Sequence, residues 1–213
     1  TSPLQVMGKM EMERLGVHEV ADAVRHFSGV TVKDYGGIGG LKTISVRSLG
    51  TQHTGVIYDG VAVSDCQSGQ VDISRFSLDN VSQLTMTIGQ SDDIYQTARA
   101  FASAGVTIQT SRPDFQETSY HVNANLKAGS FGLVNPSVLY NQKVTDNTSL
   151  SFYGDFLRAD GNYPFKMWNG NTLIDSKRNN SDIRTYRAEA TLYTSFTPTQ
   201  DLQVKAYLFD SER

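Results

Sequence analysis

Beyond Pro113 the chain alternates polar and apolar residues with a period of two, the pattern of strands whose two faces meet different surroundings. In residues 119–128, Tyr120, Val122, Ala124, Leu126 and Ala128 share one face, while Ser119, His121, Asn123, Asn125 and Lys127 share the other. The same rule sets Leu150, Phe152, Gly154 and Phe156 against Ser149, Ser151, Tyr153 and Asp155. It sets Tyr186, Ala188, Ala190 and Leu192 against Arg187, Glu189, Thr191 and Tyr193, and Leu202, Val204, Ala206 and Leu208 against Gln203, Lys205 and Tyr207. Residues 137–144 follow it least well, because Leu139 falls on the polar side. These segments predict five antiparallel strands.

Before residue 112 the pattern is mixed. Val17, Val20, Ala21, Val24 and Phe27 recur at helical spacing and Gly29 follows them, which predicts a helix over residues 17–27. Short β-branched runs predict strands at 30–32, 43–47, 55–58, 61–63, 81–88 and 105–110, with Asp59-Gly60 as a tight turn between the third and fourth. The change of pattern predicts a boundary near 112/113, with an α+β domain at 1–112 and antiparallel strands at 113–213.

Alternation alone fits a soluble sheet with one wet face equally well. The connections change the picture. Residues 146–147 and 197–201 are short turns, whereas 160–182 is long, polar and rich in Asn, Gly and Lys. Strands of about ten residues with short turns at one end and longer loops at the other are the pattern of outer-membrane barrels. Phe131, Tyr163, Phe165, Trp168, Phe196 and Phe209 lie near segment ends, where interfacial girdles form.

Composition narrows the function classes. Among 213 residues, 19 basic against 22 acidic give a net charge of -3, without the basic excess a nucleic-acid footprint requires. No run approaches the ~18 apolar residues of a spanning helix. Cys66 is the single cysteine, so neither an internal disulfide nor a cysteine-based zinc site is possible within the chain. The start, Thr1-Ser2-Pro3-Leu4, lacks a secretory leader, leaving both a cytoplasmic protein and a processed one open.

Catalytic and metal motifs are sparse. Residues 36–43 hold several glycines before Lys42-Thr43, but Leu41 stands where a phosphate loop needs glycine, and a strand rather than a helix is predicted to come after it. His18, His26, His53 and His121 never fall at i, i+4, and there is no Gly-x-Ser-x-Gly elbow. Asp92-Asp93 reads as a solvated turn. Asp160, Asp175 and Asp182 are weak calcium candidates in the long connection. A carbohydrate-active enzyme would require Asp155 and Glu189 as its carboxylate pair, the candidates on polar strand faces.

The order of motifs in the first half carries a resemblance. Ser28-Gly29-Val30 after the predicted helix, Ile44-Ser45-Val46-Arg47-Ser48, Gly55-Val56-Ile57-Tyr58-Asp59-Gly60-Val61, residues 81–90 and Ala102-Ser103-Ala104-Gly105-Val106-Thr107-Ile108-Gln109-Thr110 resemble, in sequence, the plug domain of TonB-dependent outer-membrane receptors. Departures occur at Ile88, Gln90, Gln96 and Ala104-Gly105, where the family pattern has Arg, Pro, Gly and paired Gly.

The resemblance implies an α+β plug domain followed by antiparallel β-strands of an incomplete transmembrane β-barrel, about five of the 22 that plugged transporters use. It implies a bacterial outer-membrane receptor, not an enzyme, with no cofactor. Its partners would be outer-membrane lipid, a TonB-type energy-coupling protein and a scarce nutrient ligand such as a metal chelate; within the family the spacing and glycine clusters look closest to receptors for a vitamin B12-type corrinoid, with ferric-siderophore receptors second. Ligand contacts are expected on two glycine-containing loops, at Lys33, Asp34, Tyr35, Gly36 and Gly37 and at Asp65, Cys66, Gln67 and Ser68. Tyr163 and Trp168 are further ligand-binding candidates, and Arg47 and Arg99 are expected to meet carboxylates on the barrel wall. The alternative is a surface-exposed β-rich binding or adhesion module, which accounts for the alternation but not for the ordered motifs.

Overall fold

The computed structural model describes residues 4–37, 39–47, 50–51, 54–63, 70–88, 104–116, 118–179 and 181–212. They form two compact units, Thr1–Arg112 and Pro113–Arg213.

In the first unit, strands β1 (Leu4–Gly8), β4 (Thr54–Tyr58), β5 (Val61–Val63), β6 (Val81–Ile88) and β7 (Ala104–Thr110) form one sheet in the order β1-β6-β7-β4-β5. All neighbours are antiparallel except β4 and β7. A separate hairpin pairs β2 (Val30–Asp34) with β3 (Lys42–Val46). Alternate residues of β6 and β7 point into the core: Leu84, Met86, Val106 and Ile108 are fully buried, with Val20, Val24 and Ile73 packed in the same cluster.

The predicted helix is shorter than its hydrophobic spacing implies. Helix α2 covers Val20–Val24 only, because Glu19 is extended at its N-cap, although Phe27 is still buried beyond its end. Two elements carried no clear signal. Strand β1 is a short edge strand paired with β6, and α1 (Lys9–Leu15) buries only Met12, so neither shows a marked periodicity. The signal that could have revealed α1 is its run of good helix formers between Gly8 and Gly16, the latter at φ 63 where a helix stops.

The Asp59-Gly60 turn forms as its dipeptide predicts, with φ 45 and 82. Asp59 also anchors it, accepting from the Thr110 N–H and hydroxyl at 2.7 Å each. Since nothing lies within 4 Å of a Cβ at Gly60, Gly60→Ala should cost only the left-handed backbone penalty. A loss of about 1–2 kcal/mol is expected, read from the plug unfolding transition of the full-length protein.

The second unit is a five-stranded antiparallel sheet in the order β14-β13-β10-β9-β8. Its strands are β8 (Tyr120–Ala128), β9 (Val134–Lys143), β10 (Thr148–Ala159), β13 (Ile183–Thr197) and β14 (Gln200–Glu212). The long connection contains an unforeseen hairpin, β11 (Pro164–Asn169) with β12 (Thr172–Lys177). Both of its strands are largely exposed, so no buried face stamped an alternating pattern on its sequence.

Candidate functional site

The two faces of the second sheet are inverted relative to a soluble protein. On the three central strands β9, β10 and β13 the polar face is buried, at Ser137, Ser151, Tyr153, Asp155, Thr185, Glu189, Thr191 and Tyr193, whereas His121, Asn123 and Asn125 on β8 and Gln203 on β14 are exposed. The apolar face is open: Val122, Leu126, Phe152, Val204 and Leu208 expose between 47% and 71% of their surface. Aromatic side chains border this open band. Phe156 and Tyr186 pair near one edge with ring centroids 5.0 Å apart, and Phe196 marks the other edge on β13. Tyr186 and Phe196 are ten residues apart, so a rise of about 3.3 Å and a tilt of about 40° give a band roughly 25 Å tall, the height of a hydrocarbon core in outer-membrane barrels.

Not every predicted girdle ring joins this band. Phe209 is directly opposite Arg187 on the polar face, because it is odd-numbered on a strand whose even positions face outward. Phe131, Tyr163 and Phe165 gather at the long-connection end instead, with centroid separations of 6.1 and 6.5 Å. Leu139, the exception to alternation, takes its place on the polar face opposite Tyr153.

The polar face neutralises its own charges. Arg187 donates to Asp155 at 2.6 Å, with side chains 10% and 0% exposed, and Tyr153 donates its hydroxyl to the same carboxylate oxygen at 2.9 Å. Lys205 pairs with Glu189 at 3.2 Å, 14% and 3% exposed. The carboxylate pair that a glycosidase would require is therefore engaged by cations and closed to solvent.

In the first unit the β2–β3 hairpin presents the glycine loop, residues 35–41. Asp34 shapes its entry: one carboxylate oxygen accepts the N–H groups of Gly36 and Gly37 at 3.0 and 2.8 Å. The Tyr35 N–H donates to the Leu41 carbonyl at 2.9 Å, closing the loop. Gly40 is required because a Cβ there would lie 2.6 Å from the Gly36 backbone. Lys33 and Gly37 are exposed, as is Tyr35 at 57%, so the loop and the strand end leading into it offer a cation and a phenol to solvent. The loop leads into strand β3, so its glycines serve a hairpin and not a phosphate cradle.

Burial pushes the Asp34 carboxyl up, but the Gly36 and Gly37 N–H groups, together with the charges of Lys42 and Arg25, outweigh it and hold the group below its ordinary value of 3.8. A carboxyl depressed in the folded state contributes stability above its unfolded pKa and loses it as pH falls through the folded value. Amide protection at Gly36 and Gly37 should therefore persist below pH 3.8 and disappear only at more acidic pH, as hydrogen exchange on a pH series would read.

The other predicted positions are dispersed. Arg47 is exposed with φ 48, its N–H donating to the Gly29 carbonyl at 2.8 Å. Tyr163 sits in the aromatic cluster, where Arg178 stacks 5.6 Å over its ring and donates to its hydroxyl at 3.0 Å; neither Phe131 nor Arg178 was singled out from sequence as a site residue. Trp168 is 70% exposed at the far end of β11, five residues from Tyr163 and about 16 Å along an extended strand. Asp65, Cys66, Gln67, Ser68 and Arg99 lie outside the described residues. Among the described residues no three His, Cys, Asp or Glu side chains gather around a metal position, and the calcium candidates do not converge: Asp175 faces Lys166 across the hairpin and Asp160 lies beside Arg158.

The sequence model of the TonB-dependent Receptor Plug Domain family matches residues 1–110. Among solved structures, the pyoverdine outer-membrane receptor FpvA from Pseudomonas aeruginosa superposes with TM-score 0.72 at 15% identity, covering 99% of this chain and 28% of that one. The copper transporter OprC gives 0.71 at 16% identity, covering 98% and 30%. A variant of the ferric enterobactin receptor PfeA from Pseudomonas aeruginosa gives 0.67 at 20%, covering 97% and 32%. At these identities the likeness shows the fold, a plug followed by antiparallel strands of an incomplete barrel, and the chain spans about 30% of the length of the matched proteins.

Proposed function

The chain belongs to the TonB-dependent receptor plug domain family, and from that premise we propose that it is the plug and opening barrel wall of an outer-membrane receptor for energy-coupled uptake of a metal chelate. The observation that carries this reading is the inverted sheet. A wall with lipid outside and a polar interior accounts for Phe152, Val204 and Leu208 standing in the open while Asp155 and Glu189 are buried. A plug in the interior would close a lumen that otherwise leaks, and its movement would require energy from a TonB-type partner.

A ferric siderophore is the leading ligand. Three observations support it: the similar receptors FpvA and PfeA are named for pyoverdine and ferric enterobactin, the 35–41 loop and its approach expose Tyr35 and Lys33, and Arg178 stacks on Tyr163. Lys33, Asp34, Tyr35, Gly36 and Gly37 would supply plug contacts together with Asp65, Cys66, Gln67 and Ser68; Tyr163 and Trp168 would act from the barrel side. Arg47 and Arg99 would meet carboxylates on the barrel wall.

Calorimetric titration of the full-length receptor with ferric enterobactin, ferric pyoverdine, copper ion and cyanocobalamin tests the reading. One ferric siderophore should bind at least about 100-fold more tightly than the other probes, and Tyr35→Ala should weaken it roughly tenfold. Preference for cyanocobalamin would move the cargo to corrinoids. A full-length protein that binds none of the four and is monodisperse without detergent would be an adhesion module instead.

A further inference from the structure

Lys42 stands at the foot of the glycine loop, directly opposite Asp34 in the β2–β3 register, and its side chain is only 7% exposed. Its ammonium is bonded to the Glu19 carboxylate and lies 3.9 Å from the second oxygen of Asp34, the oxygen not used by Gly36 and Gly37. Its backbone N–H donates to Asp72 at 3.1 Å, and the same Asp72 oxygen accepts the Ser74 N–H at 2.9 Å. One buried cation thus joins the loop base, the residue that opens α2 and, through its own backbone, the turn before the 3-10 segment Ile73–Arg75.

Replacing the Lys42–Glu19 pair by uncharged side chains would cost little stability, because the desolvation of the buried ammonium offsets much of its attraction to a carboxylate that is itself 35% exposed; what a charged node adds is a fixed geometry. We infer that Lys42 is a positioning residue: through Asp34 it sets the stance of the 35–41 loop, and through Glu19 it locks that stance to the segment entering α2. The ligand half of this inference rests on the proposal that the loop touches the metal chelate. Lys42 itself makes no ligand contact in this scheme. A shift of the loop on binding would reach α2 through the ammonium, since Asp34 and Glu19 share it.

The test uses the full-length receptor carrying Lys42→Met/Glu19→Gln, which removes the buried cation and its half-buried partner charge together and leaves Asp34 able to hold Gly36 and Gly37. Ferric enterobactin and ferric pyoverdine are the probes, and the peptide spanning 33–42 is followed by hydrogen exchange. The variant should keep a wild-type unfolding temperature within a few degrees, exchange the loop amides about tenfold faster and bind its preferred probe roughly tenfold more weakly. Lys42→Arg should recover most of both effects. Glu19→Gln alone, which keeps a side-chain oxygen for the Lys42 ammonium and leaves Asp34 as its remaining carboxylate, should shift both readouts in the same direction by a smaller factor. Unchanged exchange would overturn the inference itself. Faster exchange with unchanged affinity would retain Lys42 as the positioner of the loop and remove the loop from the ligand site, a failure of the functional reading instead.

Discussion

Replacing Arg187 with methionine in the full-length receptor should lower the stability of the barrel by about 3–5 kcal/mol, because it leaves a carboxylate buried without its cation. Asp155 is fully buried at its side chain and takes a 2.6 Å bond from Arg187, so water does not replace the guanidinium when it is removed. The Tyr153 hydroxyl still donates to Asp155, but one neutral donor falls short of a missing charge. Asp155→Leu combined with Arg187→Met should recover most of the loss, since apolar replacement of both partners is close to neutral. Urea titration of the receptor folded in lipid vesicles measures both variants. A single variant as stable as wild type would mean that the polar face admits enough water to solvate Asp155.

Phe152→Arg should cost about 2–4 kcal/mol in a bilayer, the penalty for a cation near the midplane of a barrel's lipid face. Phe152 is 47% exposed on the open apolar face, opposite Ala190 on β13 and Tyr140 on β9. In water the same replacement would be nearly neutral or favourable, because an arginine at an exposed position is simply solvated. The sign of the effect therefore reports the solvent of that face. Refolding into vesicles with unaltered stability would argue that the sheet stands in water, and the transporter reading would go with it.

Much of the fold was legible because strand faces follow a period of two that is written locally. The faces around Phe152 and Asp155 could be assigned residue by residue, and the Asp59-Gly60 turn followed from the two residues that tolerate its positive φ. Less was legible where burial leaves no periodic mark. Helix α1 buries Met12 alone, and the β11–β12 hairpin is held by pairing between two exposed strands. The spacing of residues 17–27 overstated α2, since Val17 and Phe27 pack against the core from outside the helix. Of the candidate site, the glycine loop was visible as composition; its shape, set by Asp34 and by the close approach of Gly40 to Gly36, was not.

By itself the sequence determined which residues alternate, where the chain changes from a mixed pattern to a strand pattern, and which ordered motifs mark a plug, because each depends on neighbours a few positions apart. Tertiary structure alone decided which charges meet. Lys42 finds Glu19 across 23 positions, Arg187 finds Asp155 across 32 and Lys205 finds Glu189 across 16. Such partners are chosen by strand register and by the low dielectric of a buried site, where an ion without its counter-ion is too costly to keep.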